Sequence, residues 1–334
     1  MERNLLFCSA GRRATLLQDF KKSLNGSGRI IATDNSPVAP ALYFADSIYK
    51  VPRITVPEYS SIVLDICKKE KVKAITTLID PEIEILARNS KLYQDNNIIT
   101  LCPNEHSAHL CFDKYEMFKY MRNKGVRTVL TYNTLDSFES ALKNGEISFP
   151  VFMKPISGSG SVGAHRVENM KQLVTDWNEG TFEYIIQELM VGGDCDADVY
   201  VDVFSHKPVA AFSKRKIETK IGGASKTISF KDHKLFDFIG QVCDAIELNG
   251  PCDMDFFYKN GEYYLSEINP RFGGAYLHAY GAGVDFVKLI MNNIDGKTNQ
   301  SLIGEYDEDI LMMMYDAVVI RKKEDLMEGD FSLL

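Results

Sequence analysis

The sequence predicts an α/β chain: an open parallel sheet with helices on both faces over residues 1–105, then an α+β unit of strand pairs and helices. Three observations carry this. Short apolar runs alternate with segments of helical rhythm from the start of the chain, which is the pattern of βαβ crossovers. Beyond Ser148 the strands come in neighbours joined by tight turns, as at Lys259-Asn260-Gly261, and Asn-Gly is a favoured hairpin junction. The composition, 45% hydrophobic and 25% charged over 334 residues, supplies a large core and a length of two or three domains.

Charge and cysteine use narrow the function. A net charge of −8 argues against a general nucleic-acid binder. The seven cysteines are scattered, odd in number and without a C-x-x-C pair, so free thiols in a reducing compartment are expected rather than zinc or a disulfide framework. The chain opens on no secretory signal pattern. It contains no apolar run near the ~18 residues that would span a bilayer. A cytoplasmic protein with no membrane partner is expected.

In order, residues 4–9 form a buried strand running into a tight turn, and Leu16, Leu17, Phe20 and Leu24 give residues 14–24 a helical face closed by Asn25-Gly26. Residues 29–33 form a second strand followed by Asp34. Only Gly11 stands in the first turn, so the G-x-G-x-x-G dinucleotide fingerprint fails and a dehydrogenase is remote. Asp34 stands where a ribose-binding acid would, but reads as a turn residue. A strand at 47–51, a helix at 59–70 and a strand at 74–78 lead to Asp80-Pro81-Glu82. There Asp80 is expected to cap a helix, Pro81 to suit its first turn and Glu82 its dipole. A strand at 97–101 completes the sheet.

The second unit begins near Asn104 with one helix expected over 107–123, containing Asp113-Lys114. A strand at 148–154 carries Lys154, and Ser157-Gly158-Ser159-Gly160-Ser161-Val162-Gly163 follows closely. Gly158, Gly160 and Gly163 let the backbone approach an anion, and the N–H and hydroxyl groups can donate to phosphate oxygens. This is not a P-loop, since no Gly-Lys-Ser/Thr ends it. A flexible hairpin explains the glycines but not the strand lysine beside them. A strand at 184–188 ends in Glu188-Leu189, and Val191-Gly192-Gly193-Asp194 turns the chain. Strands at 197–204 and 209–216 follow, the latter ending in Lys214-Arg215-Lys216, with a loop expected at 222–226 and a helix at 233–246. Strands at 252–258 and 262–267 form a hairpin that places Asp255 and Glu267 on partner strands. A helix at 284–290 and an apolar run at 310–320 close the chain. His109, His165, His233 and His278 lack metal-ligand spacing, and Trp177 reads as a packing residue.

The chemistry concentrates at residues 265–274, Leu-Ser-Glu-Ile-Asn-Pro-Arg-Phe-Gly-Gly. Glu267, Asn269 and Arg271 alternate, so an extended segment projects them from one face. Glu267 and Asn269 offer hard oxygen donors suited to Mg²⁺, and Arg271 suits phosphate oxygens. Pro270 places the segment on a sheet edge or at a strand end. A surface strand with an ordinary salt bridge is the plain alternative.

Taken together, a helix-start lysine, a strand lysine, a glycine-rich loop, a Gln-Glu-Leu strand end with an acid six residues on, and a late Glu-x-Asn-x-Arg resemble the ATP-grasp superfamily over the whole chain. The stretch from Ala39-Pro40 to Asp46, then Val51-Pro52 and Asp80-Pro81-Glu82, is most similar to its carbamoyl-phosphate-synthase-like branch. The resemblance implies a Rossmann-like pre-ATP-grasp domain (1–105) followed by a two-subdomain ATP-grasp fold, with a small lid subdomain (106–186) and a metal-binding subdomain (187–325). It implies that Lys114 and Lys154 contact ATP phosphates, that Ser157 to Gly163 form a flap, and that Glu188 and Leu189 read the adenine edge. Asp194 takes the place of the ribose-binding acid. Asp255, Glu267 and Asn269 hold Mg²⁺, with Mn²⁺ able to substitute. Arg271, with Arg215 or Lys214, meets the transferred phosphoryl group or a substrate carboxylate. The implied activity is carboxylate–amine ligation through an acyl phosphate, on small-molecule substrates and in a homodimer. Alternatives are a kinase-like enzyme that stops at the acyl or carboxy phosphate, and a nucleotide-binding regulator. Asp255 departs from the Glu or Gln common in the family. One such unit and no glutaminase is present, so carbamoyl-phosphate synthesis by this chain alone is not expected.

Overall fold

The computed structural model describes residues 2–158, 160, 162–220 and 223–326. Ser159 and Ser161 of the glycine-rich loop lie outside the described residues.

Five parallel strands, β1 (Asn4–Cys8), β2 (Ile30–Asp34), β3 (Ser47–Lys50), β4 (Val72–Thr77) and β5 (Ile99–Thr100), form the first sheet in the order β3-β2-β1-β4-β5. β1 is central and wholly buried, which is why it reads as an unbroken apolar run. Its side chains part to two cores. Leu5 and Phe7 pack with Leu17 and Phe20 of the helix Ala14–Leu24. Leu6 and Cys8 pack with Val63 and Ile83 from the helices Tyr59–Lys69 and Asp80–Arg88. Asp34 serves the turn, accepting from Gly11 N and Ser36 N, each at 2.9 Å.

A four-stranded antiparallel sheet follows: β6 (Thr131–Tyr132), β7 (Val151–Pro155), β8 (His165–Val167) and β9 (Tyr184–Glu188), ordered β6-β9-β7-β8. It has its own core around Phe138, Val151, Leu173 and Ile186. The last sheet contains β10 (Asp194–Val201), β11 (Pro208–Lys220), β12 (Gly223–Phe230), β13 (Gly250–Lys259), β14 (Glu262–Asn269) and β15 (Leu311–Met313), ordered β14-β13-β10-β11-β12-β15. β14 is at the sheet edge and ends immediately before Pro270. Asn260 (φ 54°) and Gly261 (φ 84°) close the β13–β14 hairpin in left-handed conformations, as a two-residue turn of this kind requires.

The N-terminal sheet and the last sheet share one core. Phe7, Phe20 and Phe272 meet edge-to-face at 4.8 and 5.3 Å, and Phe272 continues to Tyr276 at 4.9 Å. The segment that carries the site residues is thereby fixed against the first domain. Among the described residues, no helix is long and apolar enough to cross a membrane.

Three expectations are corrected. The single helix over 107–123 is two helices, Glu105–Phe112 and Lys114–Asn123. Asp113 leaves helical conformation (φ −94°, ψ 105°) and its carboxylate caps the second helix, accepting from Tyr115 N and Glu116 N at 2.9 Å. Residues 223–226 of the expected loop lie in β12, paired with Glu218 to Lys220. The apolar run at 310–320 supplies only the short edge strand β15, with Tyr315, Val318 and Ile320 exposed.

Candidate active site

Strand register builds the site. Across the hairpin, Asp255 faces Glu267 and Asp253 faces Asn269. On the next strand Asp196 faces Asp255 and Asp198 faces Asp253, and beyond it Lys214 faces Asp196. Because side chains alternate, these residues share one sheet face with Asp194 and Lys216.

The charges meet in pairs. Lys216 lies 2.6 Å from Asp255 and 2.9 Å from Asp194. Lys114 lies 3.8 Å from Glu267 Oε1 and Lys154 3.8 Å from Glu267 Oε2, and Lys114 also donates to Gly158 O at 2.8 Å. This brings together the helix-start lysine, the strand lysine and the glycine loop as expected. Asn269 Nδ2 reaches Asp255 at 3.4 Å. Arg271 lies 2.7 Å from Asp80 and 3.7 Å from Asp253. Asp80 is therefore not the helix cap expected of it. The helix Asp80–Arg88 has no side-chain cap, and the Asp80 carboxylate is taken by Arg271. Glu82 is in the first turn as expected, but its carboxylate is buried and accepts from Ser9 Oγ at 2.7 Å, Thr77 Oγ1 at 2.5 Å and Tyr59 Oη.

The electrostatics divide this face in two. Burial lowers the Lys154 ammonium from its ordinary value, opposed by Glu267. Burial alone would raise Asp255, yet Lys216 beside it holds it below its ordinary value. Burial raises Asp194. Deeper in, burial pushes Asp196 and Asp198 up to about 6, and burial with the neighbouring Asp255 and Asp196 pushes Asp253 up to about 7. Lys214 lies among these three acids, 2.9 Å from Asp196 and paired with Asp198. Although burial works against it, their charges hold its ammonium above its ordinary value.

Lys214 and Arg215 do not meet the phosphate-facing position expected of them. Lys214 is fully buried as the counter-ion of Asp196 and Asp198. Arg215, one residue on, projects from the opposite face, is exposed and lies 4.3 Å over the Phe230 ring. The cation at the surface of the acidic face is Lys216. At the other end of the site Glu188 pairs with Lys259. Glu188 and Leu189 line a cavity of about 270 Å³ with Phe149, Pro150 and Val191. Lys216, Asp196, Asp198 and Asp253 join the site although none of them was expected there. Their signal was the repeated alternation Asp194-x-Asp196-x-Asp198, Lys214-x-Lys216 and Asp253-x-Asp255, which marks one face only when the register is known.

Among the described residues, no cluster of three or more His, Cys, Asp or Glu side chains forms a metal cage. Two carboxylates facing across a hairpin, with an amide beside them, nevertheless fit Mg²⁺, which takes one or two carboxylates and completes its shell with phosphate oxygens and water.

Comparison with known proteins identifies the family. Residues 5–101 match the model of the PylC-like N-terminal domain, and residues 111–275 match an ATP-grasp domain. A formate-dependent phosphoribosylglycinamide formyltransferase from Flavobacterium psychrophilum is 24% identical over 257 residues, covering 72% of this chain and 64% of that protein. The carbamoyl phosphate synthase large chain of Sulfolobus acidocaldarius is 24% identical over 229 residues, covering 63% of this chain and 21% of that one. The chain thus spans less than two thirds of the length of these relatives. In fold it is similar to the biotin carboxylase domain of Hydrogenobacter thermophilus 2-oxoglutarate carboxylase, a dimer solved with MgADP and bicarbonate. The TM-score is 0.72 at 19% identity, over 93% of this chain and 73% of that one. It is similar also to N5-carboxyaminoimidazole synthetase from Staphylococcus aureus, with a TM-score of 0.69 at 14% identity over 90% and 80% of the two chains. With two family models in tandem along its length, the strand lysine and hairpin acids meeting in one site, and the fold of these enzymes, the chain belongs to the ATP-grasp superfamily, with a carbamoyl-phosphate-synthase-like architecture.

Proposed function

We propose that this protein is an ATP- and Mg²⁺-dependent carboxylate–amine ligase that works through an acyl phosphate and releases ADP and phosphate. The observation that carries the reading is the meeting of Lys114 and Lys154 on the Glu267 carboxylate, directly across the hairpin from Asp255. Cations that bind a polyphosphate and oxygens that hold its metal must lie this close for phosphoryl transfer, which depends on positioning and charge neutralisation.

In this reading residues 1–105, 106–186 and 187–325 act as the pre-ATP-grasp, lid and metal-binding parts. Lys114 and Lys154 hold the ATP phosphates, and the loop through Gly158, Gly160 and Gly163 covers them. Glu188 and Leu189 hold the adenine edge and Asp194 the ribose. Asp255, Glu267 and Asn269 hold Mg²⁺, or Mn²⁺ in its place. The metal, when bound, neutralises charge on the transferred phosphoryl group. Arg271, fixed by Asp80, stands beyond the metal ligands, where a carboxylate or the transferred group arrives. The loop's cover matters because an acyl phosphate hydrolyses when water enters. The partners are a small-molecule carboxylate and an amine, and the chain works as a homodimer in the cytoplasm.

The test is phosphate release over paired small carboxylates and amines, with ATP and Mg²⁺. One pairing is expected to give turnover that Glu267→Gln abolishes while the circular dichroism spectrum is unchanged. Turnover surviving in that variant would remove Glu267 from the metal site. ADP formation with a carboxylate and no amine would favour the kinase-like alternative.

A further inference from the structure

We propose that Arg13 is a substrate-binding residue, supplied by the N-terminal sheet, that takes the carboxylate of a small-molecule substrate where the first domain meets the Arg271–Gly274 turn. This deepens the ligase reading and rests on it.

The topology marks the place. Strand order in the first sheet runs β3-β2 on one side of β1 and β4-β5 on the other. The crevice beyond the C-terminal ends of β1 and β4 is therefore the switch point at which open α/β sheets bind ligands. The two segments leaving those ends are Ser9 to Arg13 and Leu78 to Glu82. Both reach the end of β14. Arg271 pairs with Asp80, and Arg13 Nη2 donates to Phe272 O at 2.8 Å and Gly273 O at 2.6 Å. The Arg13 loop is itself fixed. Asp34 holds Gly11 N, and the buried Glu82 holds Ser9 Oγ.

Arg13 is not explained by local structure. It occupies the N-cap of the helix Ala14–Leu24 without a side-chain cap, where a cation opposes the helix dipole. Among the described residues no carboxylate lies within 4.0 Å of its guanidinium. Arg12, Arg53, Arg122, Arg215 and Arg321 also have no carboxylate partner, but all of them are exposed, whereas Arg13 is half-buried. A guanidinium withdrawn from water calls for an anion. Burial and the neighbouring Arg271 lower it to about 10, opposed by Asp253, Asp198 and Asp80, none of which comes within ion-pair distance. Nε and Nη1 remain free of hydrogen bonds among the described residues. Nη1 lies beside exposed Gly274, where a Cβ would stand 3.5 Å away. The free side of Arg13 thus opens next to Arg271, at the end of the strand that carries Glu267 and Asn269.

The test uses the full chain with MgADP bound and measures affinity by calorimetry. The probes are glycine, glutamate and succinate, each beside its amide counterpart (glycinamide, glutamine, succinamate), with glycerol phosphate as a phosphate probe. At least one carboxylate is expected to bind the wild type more tightly than its amide. Arg13→Gln should weaken it by about 10- to 100-fold, as for loss of a charge-assisted hydrogen bond, and Arg13→Lys should weaken it less. MgADP affinity in the variants reports an intact fold. Gly274→Val, which covers Nη1 without removing the Arg13 bonds to Phe272 and Gly273, should give the same loss. Carboxylate binding unchanged in Arg13→Gln and Gly274→Val, no carboxylate binding in the wild type, or Arg13-dependent binding of glycerol phosphate alone would each overturn the proposal. Failure of the wild type to bind MgADP would instead overturn the ligase reading beneath it.

Discussion

At the scale of single residues, what decides a role here is which face of a strand a side chain is on and how deep it sits. Lys214, Arg215 and Lys216 are three consecutive cations. Alternation sends the middle one outward, against the role expected of Arg215 beside Lys214. That Lys214 is sealed beneath the site while Lys216 reaches Asp255 is not legible in the sequence, because depth is set by neighbouring strands and not by the tripeptide. Asp202 shows the same limit. It reads as one more polar residue, yet it is buried and accepts from Asn293 Nδ2 at 2.7 Å, Asn299 N and Nδ2 at 2.9 and 2.8 Å, and Ser205 N at 3.0 Å. Burial opposes its ionisation, but these donors outweigh it and hold the carboxyl down to about 2. A depressed acid contributes stability that is complete above its unfolded value near 4 and is lost as pH falls through its folded value. Asp202→Asn should therefore lower unfolding free energy by a constant amount above about pH 4, and by less as pH falls toward 2. Urea titrations across that range check this, and a difference that stays level down to pH 2 would contradict it.

At the scale of elements, most boundaries followed from apolar rhythm and turn chemistry. The β13–β14 hairpin is the clearest case for the turn, since Asn260-Gly261 sets the register from Lys259–Glu262 to Phe256–Leu265. That register alone would pair Asp255 with Ser266, and it is an irregularity between Asp255 and Phe256, not legible in the sequence, that brings Asp255 opposite Glu267. The break at Asp113 is contained in the sequence but hidden by the apolar rhythm around it. Asp113-x-x-Glu116 is the spacing of a capping box, and apolar rhythm alone ran the two helices together. In the ligase reading proposed above the cap has a consequence for binding, because the first residue after it is Lys114, whose ammonium meets Glu267 and Gly158 O. Asp113→Ala should cost about 1 kcal/mol of stability. It should also weaken MgATP binding, since Lys114 loses the fixed helix start that aims it. Thermal unfolding and calorimetry read the two effects separately, and a stability loss with unchanged MgATP affinity would mean that the cap does not position Lys114.

At the scale of the whole molecule, the feature least legible in the sequence is how the first domain completes the site. Its contacts join residues far apart in the chain, Asp80 to Arg271 and Arg13 to Phe272, and no local pattern records them. Asp80-Pro81-Glu82 looked complete as a helix start, so nothing asked for a distant partner. The aromatic chain from Phe7 through Phe20 to Phe272 supplies the rigidity, and the Asp80–Arg271 pair supplies the aim. Both groups of that pair are largely buried, so removing the carboxylate charge leaves Arg271 with Asp253 as its nearer acid, at 3.7 Å. Arg271 should then swing toward Asp253 and away from the end of the site that Arg13 faces. Asp80→Asn is nearly the same size and keeps the polar contact, so the fold should persist. MgATP affinity should hold, because Lys114, Lys154 and Glu267 are untouched. Phosphate release with the substrate pair found by screening should fall by roughly tenfold or more, the scale of a lost charge-assisted hydrogen bond. If release and MgATP affinity fell together, Asp80 would be supporting the whole domain contact. If neither changed, Arg271 would take its position from β14 alone.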